Sequence, residues 1–191
     1  MLLAAGAGTR FAGATHKLLA DIDGRPVLAR SLENMAAARL PAALVVTGAA
    51  LVGGLVPPEV TVLVNPDWRQ GQATSLTAGI RWAGAHGFDA VVVGLGDQPG
   101  VATKAWRAVA SAGATPIAVA TYGGRRGHPV RLHRDVWDLL PTTGDTGARG
   151  LMAQSPQLVA EVACHGDPTD IDTVEDLARW RRPPDHRGPS A

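Results

Sequence analysis

The sequence contains a single cysteine, Cys164, in 191 residues, which excludes an internal disulfide framework and any cysteine-built zinc site. It carries little net charge, +1 at pH 7, which argues against a broad nucleic-acid surface but not against a small anionic pocket. Aromatic residues are only 4%, so a core must come mostly from Ala, Val and Leu. No apolar run reaches the roughly 18 residues of a membrane span. The start Met1-Leu2-Leu3-Ala4-Ala5-Gly6 lacks the basic flank of a signal peptide. A soluble, cytoplasmic protein with no membrane or nucleic-acid partner is expected. Lysine is scarce too. Of the 18 Lys and Arg residues, only Lys17 and Lys104 are lysine, which leaves 16 arginines and makes each lysine conspicuous.

What the sequence does have is an alternation of two apolar patterns. Short β-rich runs occupy Leu2–Ala4, Ala43–Thr47, Val60–Val64, Ala90–Gly94, Pro116–Ala120, Pro129–Leu132 and Leu158–Ala163. Between them, helical spacing predicts helices over Pro26–Arg39, Thr74–His86, Thr103–Ala112 and Thr173–Arg182. Strand–helix alternation with fully apolar strands predicts an α/β fold, a single-domain three-layer sandwich on a mostly parallel, Rossmann-like sheet. Val91, Val92 and Val93 are the best candidates for a central strand covered on both faces. The length fits one domain, placed at 1–182. The Pro- and Gly-rich residues 183–191 have almost nothing to bury and are expected to be a disordered tail.

Leu2-Leu3-Ala4-Ala5-Gly6-Ala7-Gly8-Thr9-Arg10-Phe11 reads as a strand running into a glycine-rich loop, where successive amides can nest phosphate oxygens. A dinucleotide fingerprint fails because Phe11 stands where a glycine is required, and a Walker loop fails because no Gly-Lys-Ser/Thr follows. Arg10 and Lys17 instead supply two cations suited to a triphosphate. The bland alternative is a tight turn with solvated charges. Farther on, Gly94-Leu95-Gly96-Asp97-Gln98-Pro99 ends the most apolar strand, where open α/β sheets carry their chemistry. Asp97 there suits a divalent cation, since Mg²⁺ takes one or two carboxylates plus phosphate oxygens and water; an Asx-turn is the alternative.

The run His16-Lys17-Leu18-Leu19 and then Asp23-Gly24-Arg25-Pro26-Val27-Leu28, after Leu3-Ala4-Ala5-Gly6-x-Gly8-x-Arg10-Phe11, resembles the opening of nucleotidyltransferases that load sugar-phosphates and pterins. It is most similar to the molybdenum cofactor cytidylyltransferase branch of the MobA-like NTP transferase family. Relatives usually carry a few more apolar residues before this opening, so either a clipped first strand or a misassigned start is expected. The resemblance implies the nucleotide-diphospho-sugar transferase type of fold. It implies that the loop Ala4, Ala5, Gly6, Ala7 and Gly8, with Arg10 and Lys17, holds a nucleoside triphosphate, and that Asp97 of Gly-Asp-Gln-Pro is a metal ligand. The closing motif Asp170-Ile171-Asp172-Thr173-x-Glu175-Asp176 is also of the family's type, and one of its acidic residues would complete the metal site. Asp170 and Asp172 alternate around Ile171 and would face one side in extended backbone. Asp172 or Thr173 would also cap the following helix, with Glu175 or Asp176 closing a capping box; which aspartate binds metal stays open.

Two further regions carry candidate ligand groups. Asn65-Pro66-Asp67-Trp68-Arg69-Gln70-Gly71-Gln72-Ala73-Thr74-Ser75 enters a helix that Thr74 or Ser75 would cap. The resemblance sets Asn65, Gly71 and Ser75 beside the nucleotide, with Trp68 read as packing rather than base stacking. The Gly-rich segments 123–130, joining two strands, and 144–150, opening a helix, carry His128, Asp145 and Arg149, a composition suited to a second anionic ligand. Family resemblance points these loops at a pterin phosphate; Asp145 as a helix cap and His128 as a structural histidine are the alternatives. Cys164 reads as an inert small hydrophobe, and the other histidines show no metal-ligand spacing.

The function expected is Mg²⁺-dependent transfer of CMP from CTP to the phosphate of a molybdopterin acceptor, releasing pyrophosphate, with Arg10, Lys17 and Asp97 as catalytic groups. The product would serve a molybdenum hydroxylase. Two rivals are an NAD(P)H-dependent oxidoreductase on the same fold and a non-catalytic molybdenum cofactor insertion chaperone.

Overall fold

The computed structural model describes residues 1–181; the expected tail at 183–191 and the end of the expected domain at Arg182 lie outside them. Within the described residues a seven-stranded sheet runs in the order β5-β4-β1-β6-β8-β7-β9. Its strands are β1 (Leu2–Ala4), β4 (Leu44–Thr47), β5 (Thr61–Val64), β6 (Ala90–Leu95), β7 (Ile117–Tyr122), β8 (Arg125–His133) and β9 (Val159–Ala163). A separate hairpin pairs β2 (Asp21–Ile22) with β3 (Arg25–Pro26). All pairings in the main sheet are parallel except those of β8, which runs against both β6 and β7. The mostly parallel α/β sheet expected from the apolar pattern is therefore what forms.

Alternation along each strand sends side chains to two different cores. Leu3, Leu44, Val46, Val91 and Val93 pack with Leu76, Ile80 and Ala83 of α2 (Gln72–Ala85) and Met152 of α4 (Arg149–Gln154). Leu2, Ala4 and Val45 face the opposite way, against Leu28, Leu32 and Met35 of α1 (Val27–Ala36) and Trp106 of α3 (Thr103–Ser111). This makes three layers, with β6 in the middle of the sheet and covered on both faces. A smaller core of Ile22, Val27, Ile171 and Leu177 binds the hairpin to α5 (Val174–Trp180). Among the described residues no helix is long and apolar enough to cross a membrane.

Two local departures from the sequence reading have physical causes. The glycine-rich stretch before Pro129 is strand rather than loop: β8 begins at Arg125, and only Gly123 and Gly124, at φ +57° and +81°, make the turn. Positive φ at both central positions is the geometry of a tight two-residue hairpin, and such a hairpin forces β8 antiparallel to β7. The second helix begins at Gln72 rather than Thr74, with Gly71 at its cap position and no side-chain cap of its own. The last helix starts as expected, with a Thr173–Asp176 capping box.

The sheet places the site. β1 pairs with β6 through Leu3 and Leu95, and the Gly96 N–H donates to the Leu3 carbonyl at 2.9 Å. The carboxyl ends of these adjacent strands therefore release the glycine loop and Asp97 side by side. Beneath them Gly94 lies so close to Trp106 that a Cβ there would stand 2.6 Å from the indole ring. Since Trp106 is fully buried, Gly94→Ala is expected to cost about 1–3 kcal/mol of stability by overpacking, measured as a lowered urea midpoint; an unchanged midpoint would contradict this packing.

Candidate active site

A histidine ties the glycine loop to the turn that follows it. The Leu18 N–H donates to His16 Nδ1 at 3.2 Å, so Nδ1 is the unprotonated nitrogen and Nε2–H donates to the Gly6 carbonyl at 3.0 Å. His16 thereby caps the short 3₁₀ turn Lys17–Leu19 and ties it across the loop. Gly8 sits at φ +62°, with the Lys17 stem 3.2 Å from where a Cβ would be. This turn brings Lys17 inward while Arg10 stays on the rim.

Lys17 joins the two acidic motifs. Its ammonium donates to Asp97 Oδ2 at 2.5 Å and to Asp172 Oδ1 at 2.7 Å, across 80 and 155 positions of sequence. Arg10 pairs with the other oxygen of Asp172 at 2.8 Å. Burial alone would lower the Lys17 pKa, but the charges of Asp97 and Asp172 and their hydrogen bonds outweigh it and hold the ammonium above its ordinary value. Asp97 Oδ1 is buried without a hydrogen-bond partner.

These groups line a cleft of about 520 Å³ with Ala4, Ala5, Gly6, Ala7, Gly8, Gly71 and Ser75. The expected nucleotide-side residues thus converge, with one exception in detail. Asn65 is buried and does not line the cleft; its amide donates to Thr74 Oγ1 and Ser75 Oγ at 2.8 and 2.9 Å and its carbonyl accepts from the Asp67 N–H. Asn65 therefore braces the first turn of α2, which presents Ser75. Trp68 packs on Gly48, whose Cβ would stand 2.8 Å from it, and the Arg69 guanidinium stacks 4.4 Å from the ring centre. The half-buried indole also lines the smaller cleft, so it both packs on Gly48 and faces the space beside the glycine loop.

A second cleft, of about 710 Å³, opens beside the first. Its floor is apolar, with Leu76, Val93, Leu95, Val119 and Met152, and its rim carries Arg125, Arg126, His128, Asp145 and Arg149. Leu3, Leu95, Gln72 and Asp145 line both clefts, so the two share a wall. Asp145 caps α2 rather than α4: its Oδ1 accepts from the Gln72 N–H at 3.1 Å. Asp170 and Asp172 do not address one cleft. Asp172 lines the smaller cleft, whereas Asp170 lines the larger and accepts from Gln98 Nε2 at 2.6 Å. The reason is that the segment is held irregularly, with the Ile171 N–H donating to the Asp97 carbonyl at 2.9 Å. Burial and the neighbouring Asp97 charge push the Asp170 carboxyl up to about 6. His16, Gln72 and Gln98 are site residues that motif spacing alone does not single out, although each stands beside a residue that it does.

A family model, described as MobA-like NTP transferase domain, matches residues 1–160. Nicotine blue oxidoreductase of Paenarthrobacter nicotinovorans is 34% identical to this chain, covering 94% of each. Purine catabolism protein PucB of Bacillus subtilis is 28% identical, covering 95% of each. Among solved structures, Rv0371c of Mycobacterium tuberculosis superposes with a TM-score of 0.79 at 30% identity, covering 94% of this chain and 95% of that one. A manganese complex of that protein superposes at 0.76.

Burial, and secondarily the charge of Arg149, hold the His128 imidazole down at about 4. A histidine that protonates more easily unfolded than folded withdraws stability as pH falls from about 6.5 toward 4. Thermal unfolding followed across that window should show the parent losing stability faster than His128→Gln; parallel pH profiles would refute the assignment.

Proposed function

Because this chain belongs to the MobA-like NTP transferase family, we propose that it is a nucleotidyltransferase that moves a nucleoside monophosphate, CMP from CTP, onto the phosphate of a molybdopterin-type acceptor. The observation that carries this reading is the Asp97–Lys17–Asp172 cluster at the mouth of the glycine loop, walled against a second cleft with an arginine rim. The triphosphate lies in the smaller cleft, with Gly6 and Gly8 amides, Arg10 and Lys17 on its phosphates. The acceptor lies in the larger cleft, its anionic group toward Arg149 and its planar body on the apolar floor. An acceptor phosphate oxygen forms a bond to the α-phosphorus, the bond from that phosphorus to the bridging oxygen breaks, and pyrophosphate leaves. The nucleophile is already anionic, so no strong base is required, and catalysis reduces to alignment and charge neutralisation.

The residues present fit a divalent cation. Asp97 Oδ1 is an unpaired buried oxygen, the donors are all hard oxygens, and Asp97 and Asp172 together supply the one or two carboxylates that Mg²⁺ takes beside phosphate and water. Among the described residues no three acidic, histidine or cysteine side chains form a complete cage, as suits an ion that arrives with phosphate. The ion, Mg²⁺ in this reading, neutralises triphosphate charge when bound. Asp172 is favoured over Asp170 as the partner of Asp97 because both of them reach the same Lys17 ammonium. A manganese complex of the Rv0371c protein is in keeping with this. A cytoplasmic location and delivery of the product to a molybdenum hydroxylase follow from the same reading.

The oxidoreductase name of one relative favours a second reading, NAD(P)H-dependent reduction of a planar substrate in the larger cleft. Hydride transfer has no use for Asp97, Lys17 and Asp172, which weighs for nucleotidyl transfer. With Mg²⁺, molybdopterin and labelled CTP, GTP or ATP, pyrophosphate is expected, most from CTP. Asp97→Asn should lower turnover by roughly 100-fold or more. NAD(P)H oxidation without pyrophosphate would replace the proposal with the second reading, and cofactor maturation untouched by Asp97→Asn would favour an insertion chaperone.

A further inference from the structure

Asp97, Lys17, Asp172 and Arg10 form a chain of alternating charge, linked at 2.5, 2.7 and 2.8 Å. Three of the four carboxylate oxygens are thereby committed to cations of the protein itself, and the fourth, Asp97 Oδ1, is buried without a partner. A divalent cation ligated by Asp97 and Asp172 needs these same oxygens. An ammonium within hydrogen-bond distance of both carboxylates opposes such an ion twice, by holding its ligands and by like charge at short range. Nor is this a loose surface pair: the Lys17 side chain is 13% exposed, against 75% for Arg10.

We infer that Lys17 is a built-in counter-ion that closes the metal position, so that the protein takes a divalent cation only together with the triphosphate that offers Lys17 a new partner. The inference rests on the nucleotidyl-transfer reading of this site. The exchange balances in charge and breaks no covalent bond. Lys17 and Arg10 leave carboxylate oxygens for phosphate oxygens, and the released carboxylate oxygens turn to the metal. Geometry favours a short path, because the Lys17 stem lies against Gly8, beside the amides that would hold the phosphates. Lysine suits such an exchange better than arginine, because a compact point charge on a flexible stem can change partners without giving up a planar, two-pronged grip.

Mn²⁺ alone, titrated into the full chain and followed by electron paramagnetic resonance, tests this directly. The parent should take up Mn²⁺ weakly without nucleotide, whereas folded Lys17→Met should bind it about tenfold more tightly or better. Lys17→Gln should gain in the same way and carries the test if Lys17→Met fails to fold. Lys17→Arg, which keeps the charge, should remain as weak as the parent. Adding CTP should tighten Mn²⁺ uptake by the parent far more than by the neutral variants. Equal Mn²⁺ affinity in the parent and the folded neutral variants overturns the inference, as does tight uptake by the nucleotide-free parent. Pyrophosphate release is read separately. Neutral variants that gain Mn²⁺, in a protein that releases no pyrophosphate from any triphosphate, would keep the counter-ion and discard nucleotidyl transfer.

Discussion

The pairing of β1 with β6 is the constraint on which the site depends. β1 has only three residues, yet it is hydrogen-bonded on both sides, to β4 and to β6. Its register with β6 sets Leu3 opposite Leu95, and two residues later each strand has become a loop. One loop is rich in glycine amides and the other opens with Gly96 and Asp97. Because Leu2, Leu3 and Ala4 are buried on alternate faces, a one-residue slip would turn each core residue toward the wrong layer. The position of the chemistry is therefore fixed by core packing, not by the polar residues themselves.

Upon that frame the polar groups assemble from three distant parts of the chain. The residue at 17 comes from a turn capped by His16, the one at 97 from a central strand end, and the one at 172 from the approach to the last helix. The third is secured by Ile171, which is fully buried and whose amide bonds to the Asp97 carbonyl. An apolar side chain thus sets the carboxylate on one side of it against Lys17 and the one on the other side against Gln98. Near-zero net charge conceals this concentration of opposite charges within one cleft.

Much of the fold is legible in the sequence because the signals are local. β1 and the capping box at Thr173 come from residues adjacent in the chain, and the valine run at 91–93 marks the middle of the sheet. β8 is less legible, because Pro129 looks like a strand start and the two turn glycines blend into a longer Gly-rich stretch. The β2–β3 hairpin has strands of two residues, too short for any alternation to register, although Asp23 and Gly24 at φ +51° and +81° carry its turn. For the candidate site, motif residues can be named but not their partners. Nothing in local sequence tells that Lys17 bridges Asp97 to Asp172, or that the Asn65 amide is satisfied internally. Those depend on contacts spanning large parts of the chain, which only the assembled layers define.

The contact between residues 70–73, at the entry to α2, and the loop at 144–145 carries a consequence of its own. Gly144 donates to the Gln70 carbonyl and accepts from the Ala73 amide, both at 2.9 Å, and a Cβ on Gly71 would stand 2.5 Å from the Gly144 carbonyl group. With Asp145 on the Gln72 amide, the two segments behave as one piece of backbone shared between the clefts. Reshaping of such a scaffold is constrained: lengthening the 144 loop to widen the larger cleft would drag the start of α2, and with it the wall of the smaller cleft. The shapes of the two clefts are then linked, and a graft that seeks to alter one must carry both segments together.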